Sequence, residues 1–240
     1  MNRRSFLRRG AAGVVTGTML VPALLSGCAA PAAQAALGTP AERITATGFA
    51  VLHSGGQSRG AVVGFRPGLV LTCAHLLQDG EVAPSLRRAD GGETTARLVA
   101  RSARMDLAVL SVPAGFLAPA TTASAPPRPG DTVWAAGAPG LGPSVAQGHV
   151  EAPDAEMPGF GRGFTARMPA LMGYSGGPVV DEAGRLLGLT AALPEPGAAG
   201  AIAFLTGADL DGLSGRPRRV FVLAIRRVEI EAGRLLTLAG

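Results

Sequence analysis

The residues best suited to chemistry gather around one serine. Gly173-Tyr174-Ser175-Gly176-Gly177-Pro178 sets a hydroxyl among glycines. A serine hydroxyl is a weak nucleophile, so it needs a base to take its proton and donors to hold the oxyanion formed when it attacks a carbonyl. Glycines on either side let the main chain turn tightly and aim its N–H groups at that oxyanion. The chain has 3 histidines, His53, His75 and His149, and all precede Ser175. His75 ends the apolar run Leu69-Val70-Leu71-Thr72-Cys73-Ala74, and Asp106 opens another, Leu107-Ala108-Val109-Leu110. A base closing one strand and an acid opening the next are the remaining parts of a Ser-His-Asp hydrolytic triad. Asp79 and Asp90 compete with Asp106 but lie in turn-like contexts, Gln78-Asp79-Gly80 and Ala89-Asp90-Gly91-Gly92.

Chain order separates the known arrangements of such triads. The Gly-x-Ser-x-Gly core is shared with the nucleophile elbow of α/β-hydrolases, whose histidine follows the serine; no histidine follows Ser175. The subtilisin order puts the acid before the histidine. Asp79 is the first aspartate in the chain, so only His149 could serve in that arrangement. The chymotrypsin order, His then Asp then Ser, accommodates His75, Asp106 and Ser175.

At these residues the chain resembles the trypsin-like serine proteases, and more closely the bacterial HtrA (Deg) type. That family's Thr-Ala-Ala-His or Thr-Asn-Ala-His is matched by Thr72-Cys73-Ala74-His75, and its Asp-Leu-Ala by Asp106-Leu107-Ala108. Its Gly-Asn-Ser-Gly-Gly-Pro is matched by Gly173 to Pro178, with Tyr174 in place of Asn. The resemblance implies an all-β, chymotrypsin-like fold of two six-stranded Greek-key β-barrels with a C-terminal helix. It also implies that the catalytic residues are His75, Asp106 and Ser175, that the Gly173 and Ser175 N–H groups form the oxyanion hole, and that the Tyr174 side chain lines the cleft. The primary specificity pocket is expected between Pro169 and Leu171 on one side and Leu189, Ala191 and Leu193 on the other. Neither stretch contains an acid, which argues against cleavage after Arg or Lys and for small or medium aliphatic residues. The implied activity is that of a serine endopeptidase acting on protein or peptide substrates, with no cofactor. The alternative is a catalytically silent protease-fold lipoprotein that only binds. Most of the stretch after Ser175 is needed by the second barrel, so a C-terminal PDZ domain, common in HtrA relatives, is not expected.

The elements that must carry these residues are short. Apolar or alternating runs recur at 49–52, 60–65, 69–72, 96–100 and 107–112, then at 132–136, 148–150, 163–166, 179–180, 186–190 and 220–225, with Gly, Pro and Asp turns between them. Such spacing predicts a β-barrel or sandwich. Pro126-Pro127-Arg128-Pro129-Gly130 reads as the linker between halves, giving a first barrel over 44–128 and a second over 129–240. Ile225, Val228, Ala232, Leu235 and Leu236 recur at helical spacing and predict a terminal amphipathic helix packed on the barrel.

The N-terminus reads as an address. Asn2-Arg3-Arg4-Ser5-Phe6-Leu7-Arg8 resembles a twin-arginine export signal, and the apolar stretch that follows is short for a membrane span. Leu25-Ser26-Gly27-Cys28 resembles a lipobox. The expectation is a signal peptide over 1–27, acylation at Cys28 that holds the protein on a membrane, and a tether over 28–43 rich in Ala and Pro. The protein is then an exported, periplasmic or cell-surface lipoprotein, and Cys73 is left a small buried residue without a disulfide partner.

Composition excludes other classes. All 22 basic residues are arginine, and without Arg3, Arg4, Arg8 and Arg9 they number 18 against 17 acids, leaving no footprint for nucleic acid. With 2 cysteines and 3 histidines, the chain lacks the repeated ligand pairs of a zinc framework, so no metal is expected.

Overall fold

The computed structural model describes residues 38–139, 142–192 and 216–239. In the first half a helix α1 (Pro40–Thr47) precedes seven strands: β1 (Phe49–Ser54), β2 (Gln57–Arg66), β3 (Leu69–Thr72), β4 (Ser85–Arg88), β5 (Glu93–Thr95), β6 (Arg97–Arg101) and β7 (Ala108–Ser111). In the second half six strands are described: β8 (Thr132–Gly137), β9 (Ser144–Met157), β10 (Gly161–Met168), β11 (Pro178–Val180), β12 (Leu186–Ala192) and β13 (Arg218–Ala224). The last runs directly into helix α2 (Ile225–Ala239). No described helix is long and apolar enough to cross a membrane.

The second half is the expected six-stranded barrel, closed in the order β10-β13-β12-β11-β8-β9 with β9 paired back onto β10. Its interior holds Val133, Ala135, Phe164, Met168, Tyr174, Val179 and Val222. The first half differs in detail from a closed six-stranded barrel. Its seven strands form one sheet, β5-β4-β1-β2-β3-β7-β6, curled as a half-barrel whose end strands do not pair. The additional element is the polar hairpin β4–β5, turned at Asp90, whose carboxylate accepts from the Gly92 N–H at 2.9 Å.

Two boundaries shift. The expected tether reaches Arg43, yet Pro40–Thr47 is helical. Thr39 caps it, accepting from the Glu42 N–H while the Glu42 carboxylate accepts from the Thr39 N–H, and Pro40 opens the first turn. The chain also joins the second half before the proline-rich linker. Thr122 bridges to Leu186, and the Ala123 side chain lies in the closed barrel's core.

Helix α2 straps the halves together. Ile225, Val228, Ala232 and Leu235 are buried in the larger core with Leu107, Val109 and Leu110 of the first half. Burying one such aliphatic side chain is worth about 1.5–3 kcal/mol. On the same helix the buried Glu231 carboxylate accepts from Ser102 Oγ, and Arg234 donates to it at 2.6 and 2.9 Å. Ser102 Oγ in turn accepts from the Arg104 and Met105 N–H groups at 2.9 and 3.2 Å, which sets the turn leading into Asp106. The Arg234 and Ser102 hydrogen bonds outweigh burial and lower the Glu231 pKa from 4.5 to about 2. The folded value lies below the ordinary one, so this stabilisation is complete above pH 4.5 and is lost as pH falls toward 2. Glu231→Gln is expected to lower unfolding stability by about 1–2 kcal/mol at neutral pH, charged hydrogen bonds being worth more than neutral ones. In parallel chemical denaturations the gap to the parent should narrow as pH is lowered from 5 to 3; a constant gap would remove Glu231 from the clamp.

Candidate active site

His75 and Asp106 are brought together by strand register. β3 and β7 pair antiparallel, with Thr72 opposite Ala108. The chain therefore leaves β3 just where it enters β7, so residues 73–75 follow the one strand beside residues 105–107 that lead into the other. A single 3₁₀ turn, Ala74–Leu76, then carries the imidazole. The Asp106 carboxylate grips His75 twice, accepting its main-chain N–H at 2.9 Å and lying 2.6 Å from ring Nδ1. Asp106 is 6% exposed, so this contact is made largely out of water, where charge-assisted hydrogen bonds are strong. A carboxylate can only accept, so the grip selects the Nδ1–H form of the ring and leaves Nε2 as the nitrogen away from Asp106. Across the ring Phe160 stands edge-on, 6.0 Å between centroids at 65°. Its carbonyl accepts the Asp106 N–H at 2.9 Å.

The serine loop, between β10 and β11, is pinned at nearly every peptide. The Tyr174 N–H donates to Leu171 O at 3.2 Å, Gly176 to Thr190 O at 2.7 Å and Gly177 to Tyr174 O at 2.9 Å. Ala138 donates to Gly173 O, and Ala61 of β2 donates to Ser175 O, both at 2.9 Å. Among the described residues the Gly173 and Ser175 N–H groups enter no main-chain hydrogen bond, so the loop leaves two donors unspent on either side of Tyr174. Gly173 has φ +98°, and a Cβ there would lie 2.5 Å from Ala138 O. Gly176 has φ +76°, and a Cβ there would collide with Ala61 O and Thr72 Oγ1. Both positions require glycine. Ser175 Oγ lies 3.5 Å from Ala191 O, a weak contact that leaves the hydroxyl free to turn.

One expectation is corrected. Tyr174 does not line a cleft: it is 1% exposed in the closed barrel, its OH donates to Ser144 Oγ at 2.9 Å, and Gly137 leaves space for its ring. A buried tyrosine needs such a partner for its hydroxyl, and burial raises its pKa. Leu189, with no exposed surface, and Ala191, at 1%, have their side chains in the core shared with the first half. Strand alternation turns Thr190 between them to the other face, where its Oγ1 has no partner among the described residues. Pro169 and Leu171 remain half-buried beside the serine loop. Leu193 and Cys28 lie outside the described residues.

Rival residues are placed away from this arrangement. His149 is exposed on β9, opposite Thr132 and Arg167. Asp90 pairs with Arg88 at 2.7 Å on the polar hairpin, which lowers its pKa together with the Gly92 N–H. Asp79 is exposed. Cys73 is fully buried and free, as expected from its strand-end position. Two cavities of about 660 and 600 Å³ lie along the connection 123–131, not at Ser175.

A scan of protein families matches residues 32–189 to the trypsin-like peptidase domain, a span that includes His75, Asp106 and Ser175. No curated protein matches by sequence. Among solved structures, the serine endoprotease from Yersinia pestis matches with a TM-score of 0.63 and 23% identity, over 82% of this chain and 66% of that one. The Rv3671c protease in an inactive form matches with a TM-score of 0.63 and 20% identity, over 83% and 94%. A mutant of Rv3671c from M. tuberculosis H37Rv, also inactive, matches at 0.63 and 21%, over 83% and 91%. At these identities the structural likeness shows the fold, and it agrees with the closed barrel and half-barrel described above. With the family domain matched over most of the folded chain, this protein belongs to the trypsin-like peptidase family and is a serine peptidase.

Proposed function

We propose that the protein is an exported, lipid-anchored serine endopeptidase working through Ser175, His75 and Asp106. The observation that carries this reading is the double grip of Asp106 on His75, made beside a serine loop that keeps two N–H groups unspent. Ser175 Oγ attacks the scissile carbonyl while His75 Nε2 takes its proton. The negative charge passes to the carbonyl oxygen, which the Gly173 and Ser175 N–H groups receive. His75 then gives the proton to the leaving amine, whose departure leaves an acyl-Ser175, and water resolves the acyl-enzyme by the same steps in reverse roles. Asp106 holds the tautomer and stabilises the imidazolium without taking the proton. The substrate is a protein or peptide that presents an extended segment to the groove between the halves.

Export and anchoring rest on the N-terminal sequence: the arginine pair Arg3-Arg4, the short apolar stretch and Cys28 in Leu25-Ser26-Gly27-Cys28. Among the described residues the first element is helix α1, which begins at Pro40, inside the stretch 28–43 whose Ala- and Pro-rich sequence reads as a tether.

Three experiments test this. A fluorophosphonate probe should label the purified protein, and Ser175→Ala and His75→Ala should each abolish labelling; undiminished labelling of either variant would sink the triad. Gly173→Ala places a methyl group against Ala138 O at an unfavourable φ, so kcat should fall by about 10²–10³-fold, the loss expected for one oxyanion donor. The check is a progress curve on a peptide substrate, and near-parental kcat would remove Gly173 from the hole. When the chain is expressed in a bacterium with its N-terminus intact, Cys28→Ala should shift the protein from the detergent phase to the aqueous phase; detergent partitioning of the variant would refute acylation at Cys28.

A further inference from the structure

One reactive side chain has no part in the proposed mechanism. Cys73 lies two residues before His75, fully buried and without a disulfide. Its Sγ donates to the Thr190 carbonyl at 3.3 Å. Sγ, a His75 ring nitrogen and an Asp106 carboxylate oxygen all lie within 4.8 Å of one another. A thiol, an imidazole and a carboxylate are the ligand types of zinc, whose bonds of about 2.0–2.3 Å set ligand atoms roughly 3.2–3.8 Å apart in a tetrahedron. Seating an ion among them requires the 2.6 Å Nδ1–Oδ2 contact to open by about 0.6–1.2 Å.

Two anionic ligands in a buried site need a cation between them, and a divalent ion supplies that charge. His75 is the exposed member, with 39% of its side chain accessible against 5% for Asp106, so the path from solvent passes the imidazole.

We propose that Cys73, His75 and Asp106 form an inhibitory site for a thiophilic divalent cation, with Zn²⁺ as the physiological representative. The ion is held by the Cys73 thiolate, His75 Nδ1 and an Asp106 oxygen, with water in the fourth position. The Cys73 thiol proton leaves to solvent and the imidazole proton shifts through water from Nδ1 to Nε2 as the metal bonds form, so the ring stays neutral and no electrons are transferred. The ion thereby replaces the proton through which Asp106 orients His75. The inhibitory consequence rests on the proposed triad; the metal site itself does not.

The test separates the two. In the Ser175→Ala protein, Zn²⁺ binding is measured by competition with a chromogenic chelator, and Cd²⁺ binding by its thiolate charge-transfer absorption. One ion per chain is expected, with a thiolate band. Cys73→Ala on that background should weaken binding by at least about tenfold and remove the band, since losing even an outer-sphere partner typically costs 10–100-fold. Cys73→Val, which refills the volume, should do the same with circular dichroism unchanged. Binding of equal strength in either Cys73 variant, or no thiolate band, overturns the site and points to Zn²⁺ on His75 alone. In the protein with Ser175 present, Zn²⁺ should suppress fluorophosphonate labelling, at least about tenfold less potently after Cys73→Ala. Metal binding with the thiolate band but undiminished labelling overturns the inhibitory role. A protein that never labels yet binds the ion through Cys73 keeps the site and overturns the peptidase mechanism.

Discussion

The arrangement depends on one peptide, that of Ala61. Its N–H donates to Ser175 O at 2.9 Å, and its carbonyl accepts Thr72 Oγ1 at 2.7 Å. Ser175 and His75 lie on different halves of the chain, so the proposed mechanism needs a rigid connection to set their separation to a fraction of an ångström. Ala61 reaches the serine loop with one end and, with the other, the residue three before His75. The approach is close enough that a side chain at Gly60 would meet Ser175 O at 2.5 Å. Backbone-to-backbone contact of this kind has no rotamers to lose, which suits it to registering two sheets against each other.

Around this seam the acid is held from three directions. Strand pairing of β3 with β7 brings it alongside His75. The tip of the β9–β10 hairpin reaches over from the closed barrel, and Phe160 O takes the Asp106 N–H. From below, Glu231 of α2 fixes the Ser102 turn that leads into it. Each half thus contributes to holding a residue of the other. The serine loop is organised by the same economy: the buried Tyr174 ring anchors the turn in the barrel core, and the N–H groups of its flanking residues enter no main-chain hydrogen bond among the described residues.

Much of this was legible in the sequence, for physical reasons that also explain the rest. β3 was readable to the residue because it is a buried apolar run with a polar stop, and α2 because its apolar positions recur at helical spacing over four turns. Ser175, His75 and Asp106 stood out in the sequence because a nucleophile, its base and its acid would need such distinctive neighbours, and strand register does bring His75 and Asp106 together. The hairpin β4–β5 was missed because Arg87, Arg88, Glu93 and their neighbours alternate charge with charge, leaving no hydropathy pattern. Helix α1 carried a local signal, Thr39-Pro40-Ala41-Glu42, that was hidden inside an Ala- and Pro-rich stretch. Phe160 could not be found from spacing, since its contact with Asp106 exists only after a hairpin tip crosses between halves. The direction of Tyr174 depends on the space left by Gly137, far away in sequence.

The open ladder of the first half has a further consequence, for solubility in a crowded compartment. An unclosed sheet presents unpaired main-chain donors and acceptors at its margins, each a template for a foreign strand; here β6 is partly covered, its Leu98 N–H donating to Val82 O at 2.8 Å. Here β5 is three residues long, and the ion pair Arg87–Glu93 crosses its face at 2.6 Å. At the opposite margin β6 begins and ends in arginine and is backed by α2. Both margins thus carry the charge, brevity or cover by which natural sheets discourage intermolecular strand addition. Strand addition at either margin of the half-barrel is thereby disfavoured.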